Sequence, residues 1–245
     1  MIKLKMKKTF LYLAFALFAV ASCREDVPEV VPEVSIETQN SYDDQAAQLF
    51  LKTHAFDTKG NLVNYKEGDT TKVKLADLNP VILPSGVIYI VRNGAQPVPG
   101  EPIGPYDKLS IMQSTITYIA TDIDGKVEYD SPYPFRNTID GSGIPEVDPS
   151  YFYVKKADLE KPNIPDVAKE RNFYEIEGFQ EALKFFKAYN ISDDSDYNLQ
   201  GIIIVPSRAA FARDFHANYS DVSFRNRSFV FDFQIYKAEH FSEPR

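Results

Sequence analysis

The residue types that do covalent, metal or acid–base chemistry are sparse in this 245-residue chain and do not cluster. Cys23 is the only cysteine. His54, His216 and His240 are the only histidines, and no two of them have metal-ligand spacing. Asp122-Ile123-Asp124-Gly125 starts like a calcium loop but lacks the third ligand and the distal glutamate, so it reads as an Asp-Gly hairpin turn. Ser192-Asp193-Asp194-Ser195-Asp196 reads as a solvated acidic turn. The chain has no Gly-x-Ser-x-Gly elbow, no phosphate-cradling loop and no dinucleotide fingerprint. No cofactor is expected. Aromatic residues make up 13% of the chain and apolar residues 44%, which is enough for a sizeable core.

The position of Cys23 gives it a use. Lys3, Lys5, Lys7 and Lys8 form a basic leader, and Thr9 to Val20 form an apolar run of about a dozen residues. That run is too short to span a hydrocarbon core, which needs roughly 20, and it has the shape of a secretory signal. It closes on Val20-Ala21-Ser22-Cys23, which resembles a bacterial lipobox. The resemblance implies cleavage after residue 22, lipidation of the Cys23 thiol and acylation of the new N-terminus. Several acyl chains on one residue exceed the two-signal threshold for stable anchoring. With the cysteine so used, no disulfide or thiolate metal site remains. Removing the four lysines takes the net charge from −8 to −12, which argues against a nucleic-acid partner.

About 220 residues follow the leader. Residues 24–40, with Pro28 and Pro32 among acids, read as an extended tether. Arg24-Glu25-Asp26 resembles export signals of Bacteroidetes outer-membrane lipoproteins, leaving the periplasmic and cell-surface faces both open. Ser41 reads as the N-cap of a helix in an extension over 41–83, with Asp43 and Asp44 in the first turn and Ala46, Leu49, Phe50 and Thr53 as its stripe. Strands are expected over 86–92, 108–123, 202–205 and 228–236. In the last, Phe229, Phe231, Phe233 and Ile235 alternate with Val230, Asp232 and Gln234. A helix is expected over 175–188, with Ile176, Phe179, Leu183 and Phe186 on one face. Together these elements indicate an α+β fold, a helix packed on an antiparallel sheet, with an irregular insertion at about 137–173.

The ordered fragments Gly86-Val87-Ile88-Tyr89, Tyr118, Asp124-Gly125-Lys126-Val127-Glu128-Tyr129-Asp130-Ser131, Pro134-Phe135, Ile176-Glu177-Gly178-Phe179, Ile204-Val205-Pro206-Ser207 and Phe229-Val230-Phe231-Asp232-Phe233 resemble an FKBP-type peptidyl-prolyl cis-trans isomerase. The resemblance spans about residues 84–240 and is nearest to divergent FKBP-type lipoproteins of gliding and related Bacteroidetes bacteria. It implies a twisted antiparallel sheet wrapped around a short helix. It also implies a membrane-anchored monomer that assists folding of exported proteins by acting on X-Pro bonds.

That chemistry needs neither nucleophile nor metal. Amide resonance imposes a barrier of about 18–20 kcal/mol on X-Pro rotation, and a pocket that favours the twisted, less polar imide lowers it. The resemblance places Phe179 on the pocket floor, where the family usually has tryptophan, and makes walls of Tyr118, Tyr129, Phe135 and Phe231. It aims the Ile176 backbone N–H at a substrate carbonyl and gives Asp130 a shaping role. The family's Pro-x-x-x-Tyr-Gly is here Pro206-Ser207-Arg208-Ala209-Ala210-Phe211, so Phe211 stands in for the tyrosine only after a one-residue slip. Two outcomes are expected to be diagnostic: convergence of the five aromatic rings, floor and walls, and whether the pocket they bound is open. A closed pocket favours an FKBP-like binding or chaperone module, and rings that fail to converge favour an unrelated β-rich surface lipoprotein.

Overall fold

A computed structural model describes residues 33–245; the leader, Cys23 and the tether up to residue 32 lie outside the described residues. Helix α1 spans Ile36–Thr53 and begins earlier than the Ser41 cap expected. Ser35 takes the cap, its Oγ accepting from the Thr38 N–H at 3.1 Å. The acid expected in the first turn does other work: Asp43 is buried, and its carboxylate accepts from the Ser207 N–H (2.8 Å), the Ser207 hydroxyl (2.6 Å) and the Gln39 amide (3.1 Å). The tether therefore gives way to helix at residue 36. The buried stripe is Ala46, Ala47, Phe50 and Leu51, whereas Thr53 is exposed and bonds back to the Leu49 carbonyl.

The strands in chain order are β1 (His54–Phe56), β2 (Leu62–Asn64), β3 (Val81–Ile82), β4 (Ile88–Val91), β5 (Glu101–Pro102), β6 (Lys108–Ile123), β7 (Lys126–Asn137), β8 (Glu146–Val147), β9 (Lys187–Ala188), β10 (Gly201–Val205) and β11 (Arg227–Glu239). The main sheet runs β3-β4-β10-β11-β6-β7, with β8 also pairing β6, and every pairing is antiparallel. Asp124 (φ 53°) and Gly125 (φ 84°) close the β6–β7 hairpin in the left-handed conformations that a tight primed turn demands.

Alternation along β11 sorts the core. Phe229, Phe231, Phe233 and Ile235 pack with Phe179 and Leu183 of helix α3 (Glu177–Leu183). Val230 points the other way and packs with Ile88, Ile90, Ile202 and Ile204 against Ala47, Phe50 and Leu51 of α1. The fold is thus α+β, an antiparallel sheet with one helix on each face. Helix α3 is shorter than 175–188 because Phe185 and Phe186 close tight turns onto Ala182 and Leu183, after which β9 pairs with β5. The insertion contains β8 and the short helix α2 (Lys156–Leu159), and its run Tyr151–Val154 is buried in the core.

Candidate functional site

Three of the expected wall residues meet between α3 and the sheet. Phe179 stacks on Phe231 with ring centroids 4.2 Å apart and planes 25° apart. Phe135 from β7 presents its edge to Phe231 at 6.4 Å and to Phe229 at 5.1 Å. Ile176 immediately precedes α3 and is buried, and Phe211, after β10, is buried between His216 (4.6 Å, stacked) and Phe229 (5.9 Å, edge-on).

Tyr118, Tyr129 and Asp130 do not join them. Residues directly opposed in an antiparallel pair share a face. Phe231 opposes Thr115 and Phe229 opposes Thr117, so the threonines of β6 look toward α3 and Tyr118, opposite Ser228, looks toward α1. Tyr129 opposes Ala120, stacks on Tyr118 at 5.1 Å and, like Tyr118, lies 5.9 Å from Phe50. Burial raises the pKa of both tyrosine hydroxyls. Asp130 is exposed, and its side chain accepts from the Ser131 hydroxyl at 3.1 Å. For Tyr129 the cause is register: the β6–β7 pairing shifts between Thr117 and Ile119, and a one-residue displacement moves a side chain to the opposite face. Tyr118 is set by its pairing with β11, and Asp130, opposite Ile119, remains exposed.

The space bounded by Phe135, Phe179 and Phe231 is not open. Tyr151, fully buried, places its ring 5.2 Å from Phe135, 5.9 Å from Phe179 and 6.1 Å from Phe231. Its hydroxyl donates to Glu146 at 3.1 Å and accepts from the Gln113 amide; burial, with Glu146 adding to it, pushes that hydroxyl's pKa well up. Tyr219 seals the outer side, 5.4 Å from Phe135, with its own hydroxyl donating to the Tyr174 carbonyl at 2.7 Å. Above Phe135 the Arg136 guanidinium lies 4.5 Å from the ring centroid and pairs with Glu146 at 3.3 Å.

The backbone around Tyr151 is held as firmly as its ring. The Ile176 N–H donates to the Tyr151 carbonyl at 2.8 Å. The Gln180 side chain donates to the Phe152 carbonyl at 2.5 Å, and the Val154 N–H donates to Glu175 at 2.9 Å. Residues 151–154 thus lie along the start of α3 as a docked peptide would. Sequence reasoning missed Tyr151, Tyr219 and Glu146. The one signal was Tyr151-Phe152-Tyr153, three aromatics in a row in a proline-rich stretch that otherwise reads as solvated.

No family model and no curated protein sequence matches the chain. A solved peptidyl-prolyl cis-trans isomerase from Pseudomonas syringae pv. tomato is similar over 86% of this chain and 100% of its own, at 12% identity and a TM-score of 0.34.

Proposed function

We propose that the protein is a membrane-tethered FKBP-like module acting on X-Pro segments of exported polypeptides, and that Tyr151 keeps its isomerase cleft shut. Cys23 would carry the lipid anchor at the outer membrane. The observation that carries this reading is the docking of Tyr151. Its carbonyl accepts from Ile176, the N–H that the resemblance aims at a substrate carbonyl, and its ring occupies the space between Phe135, Phe179 and Phe231. A site that binds its own chain this way has the donor and the apolar walls that an X-Pro segment needs. Catalysis then depends on residues 149–154 leaving, because the occupied cleft has no room for a proline ring. The active residues on this reading are Ile176, Phe179, Phe135, Phe231 and Phe211; Tyr118, Tyr129 and Asp130 take no part. That two of the five rings, Tyr118 and Tyr129, do not converge with the others counts against the FKBP resemblance and favours an unrelated β-rich surface lipoprotein.

A second reading, a permanently closed binding or chaperone module, is favoured by the Tyr151 hydroxyl bonds to Gln113 and Glu146, which tie the residue into the core. Exchange spectroscopy on a short Leu-Pro-Phe peptide, with the full chain in detergent, tests the proposal. Weak acceleration that Phe231→Ala abolishes supports transient opening. No acceleration by the parent or by a folded variant with the Tyr151 ring removed leaves only the closed module.

A further inference from the structure

The segment that carries Tyr151 is gripped from outside by Arg245, a residue with no part in the cleft itself. Past β11 the chain runs through Phe241, Ser242, Glu243 and Pro244, all exposed. It then turns the Arg245 side chain inward, leaving it 10% exposed. The guanidinium donates to Asp148 at two points, Nη2 to Oδ1 at 2.7 Å and Nη1 to Oδ2 at 3.0 Å. Further bonds run to main-chain carbonyls just before β6, from Nε to Tyr106 at 2.9 Å and from Nη2 to Asp107 at 3.2 Å. A planar fork of fixed donors suits such a site, and a lysine could not fill it.

These acceptors are anchored to the sheet. The Asp148 N–H donates to the Leu109 carbonyl of β6 at 2.7 Å. The buried Asp107 carboxylate accepts from the Gly104 N–H at 2.7 Å and lies 2.9 Å from the His240 imidazole just past β11. The main chain of Arg245 grips the other end of the Tyr151 segment. Its N–H donates to the Tyr153 hydroxyl at 2.7 Å, and its main-chain oxygen accepts from the Lys156 N–H at 2.6 Å. The Tyr153 ring centroid lies 5.0 Å from the guanidinium. Lys155 also reaches Asp148, at 2.7 Å, but with half its side chain exposed it adds little. Arg245 therefore fixes its side chain to the β6 side and holds residues 153–156 with its backbone.

We propose that Arg245 latches the cleft shut, so that releasing its guanidinium lets residues 149–154 swing about Asp148 and withdraw Tyr151. What the opened cleft would bind rests on the isomerase reading; the latch itself does not. The test is residue-resolved amide hydrogen exchange, by NMR, on the full chain in detergent and its Arg245→Ala variant. The Ile176 and Val154 N–H groups make their bonds to Tyr151 and Glu175 while the segment is docked, at 2.8 and 2.9 Å. Ile203, on the inner strand β10, reports the whole fold. Arg245→Ala should speed exchange at Ile176 and Val154 at least about tenfold and leave Ile203 within about threefold, which marks local opening. Asp148→Asn, which suits the left-handed backbone there (φ 58°) but loses the charge, should act in the same direction. Unchanged exchange at Ile176 and Val154, or a rise shared equally by Ile203, would overturn the latch. If Arg245→Ala does not fold, Arg245→Lys, which keeps the charge and loses the fork, is judged by the same outcomes. Local opening with faster Leu-Pro-Phe exchange supports both readings; local opening without it sustains the latch and removes the isomerase.

Discussion

Replacing Tyr151 by alanine separates a plug from a structural core residue. The ring is fully buried among Phe135, Phe179, Phe231 and Tyr219, and truncating a large buried aromatic costs about 3–5 kcal/mol. If closure of the cleft depends on the ring, the same energy is removed from the closed state. Each ~1.4 kcal/mol changes an open-to-closed ratio tenfold, so 3–5 kcal/mol corresponds to roughly a 10²–10³-fold rise in the open fraction. The lower end is expected, because the Ile176–Tyr151, Gln180–Phe152 and Glu175–Val154 backbone bonds survive the substitution. Exchange of the Leu-Pro-Phe peptide takes tens to hundreds of seconds unaided, which leaves ample range to see the gain. Tyr151→Phe is the control: it loses only the hydroxyl, at about 1–3 kcal/mol for the partners left behind, while its ring still fills the cleft. Tyr151→Ala should therefore accelerate exchange clearly more than Tyr151→Phe, whose smaller loss corresponds on the same arithmetic to roughly 5- to 150-fold. A folded Tyr151→Ala protein with no acceleration, or a phenylalanine variant equally active, would refute the reasoning. If the alanine variant does not fold, Tyr151→Leu keeps part of the volume and carries the same expectation.

Asp232 governs a pH dependence of stability. Burial raises its folded-state pKa well above the ordinary 3.8, so the folded protein holds a proton that the unfolded chain has already lost. Its contribution therefore falls as pH rises from 3.8 toward the folded value, by at most about 1.36 kcal/mol per pH unit. Relative to the parent, Asp232→Asn should gain stability as pH rises above 3.8, read as a growing difference in urea midpoint; a constant difference would contradict a raised pKa at Asp232. Asp130→Ala should leave peptide exchange by the Tyr151→Ala protein unchanged within about twofold, since Asp130 is exposed and away from the cleft; a tenfold loss would return it to the site. Cys23→Ala should move the protein from the membrane to the soluble fraction on cell fractionation, because one apolar leader of a dozen residues cannot hold it.

How far the sequence reaches is visible residue by residue. The alternation Phe229–Ile235 was readable because successive side chains of a strand enter opposite layers, here both buried, and the Asp124-Gly125 turn was readable because few residues accept two successive left-handed conformations. Tyr129 was misplaced for the same physical reason that made the strands legible. A period of two converts a bulge of one residue into a change of face, and the β6–β7 shift between Thr117 and Ile119 leaves no mark in composition. Tyr118 faces α1 through its pairing with Ser228, and Asp130 is exposed opposite Ile119. Tyr151 was hidden differently. Its burial depends on Gln113, Glu146 and Ile176, partners 5 to 38 residues away, and no local pattern encodes contacts across an insertion.

The same strand explains why two unlike layers lie back to back. Phe231 and Asp232 are neighbours on β11 and so project to opposite faces. Phe231 enters the apolar layer beneath α3 and is satisfied there by stacking on Phe179. Asp232 enters the layer beneath α1, where Val230, Ile202 and Ile204 surround it with apolar surface, and only Leu62 of the β1–β2 hairpin reaches it. A structural role alone would be met more cheaply by valine or isoleucine, as at positions 230 and 204 on that face. Burial raises the Asp232 pKa instead, so the layer beneath α1 holds the acid with its proton. The two layers therefore pose different questions: what would remove Tyr151 from the first, and how the second tolerates a buried acid.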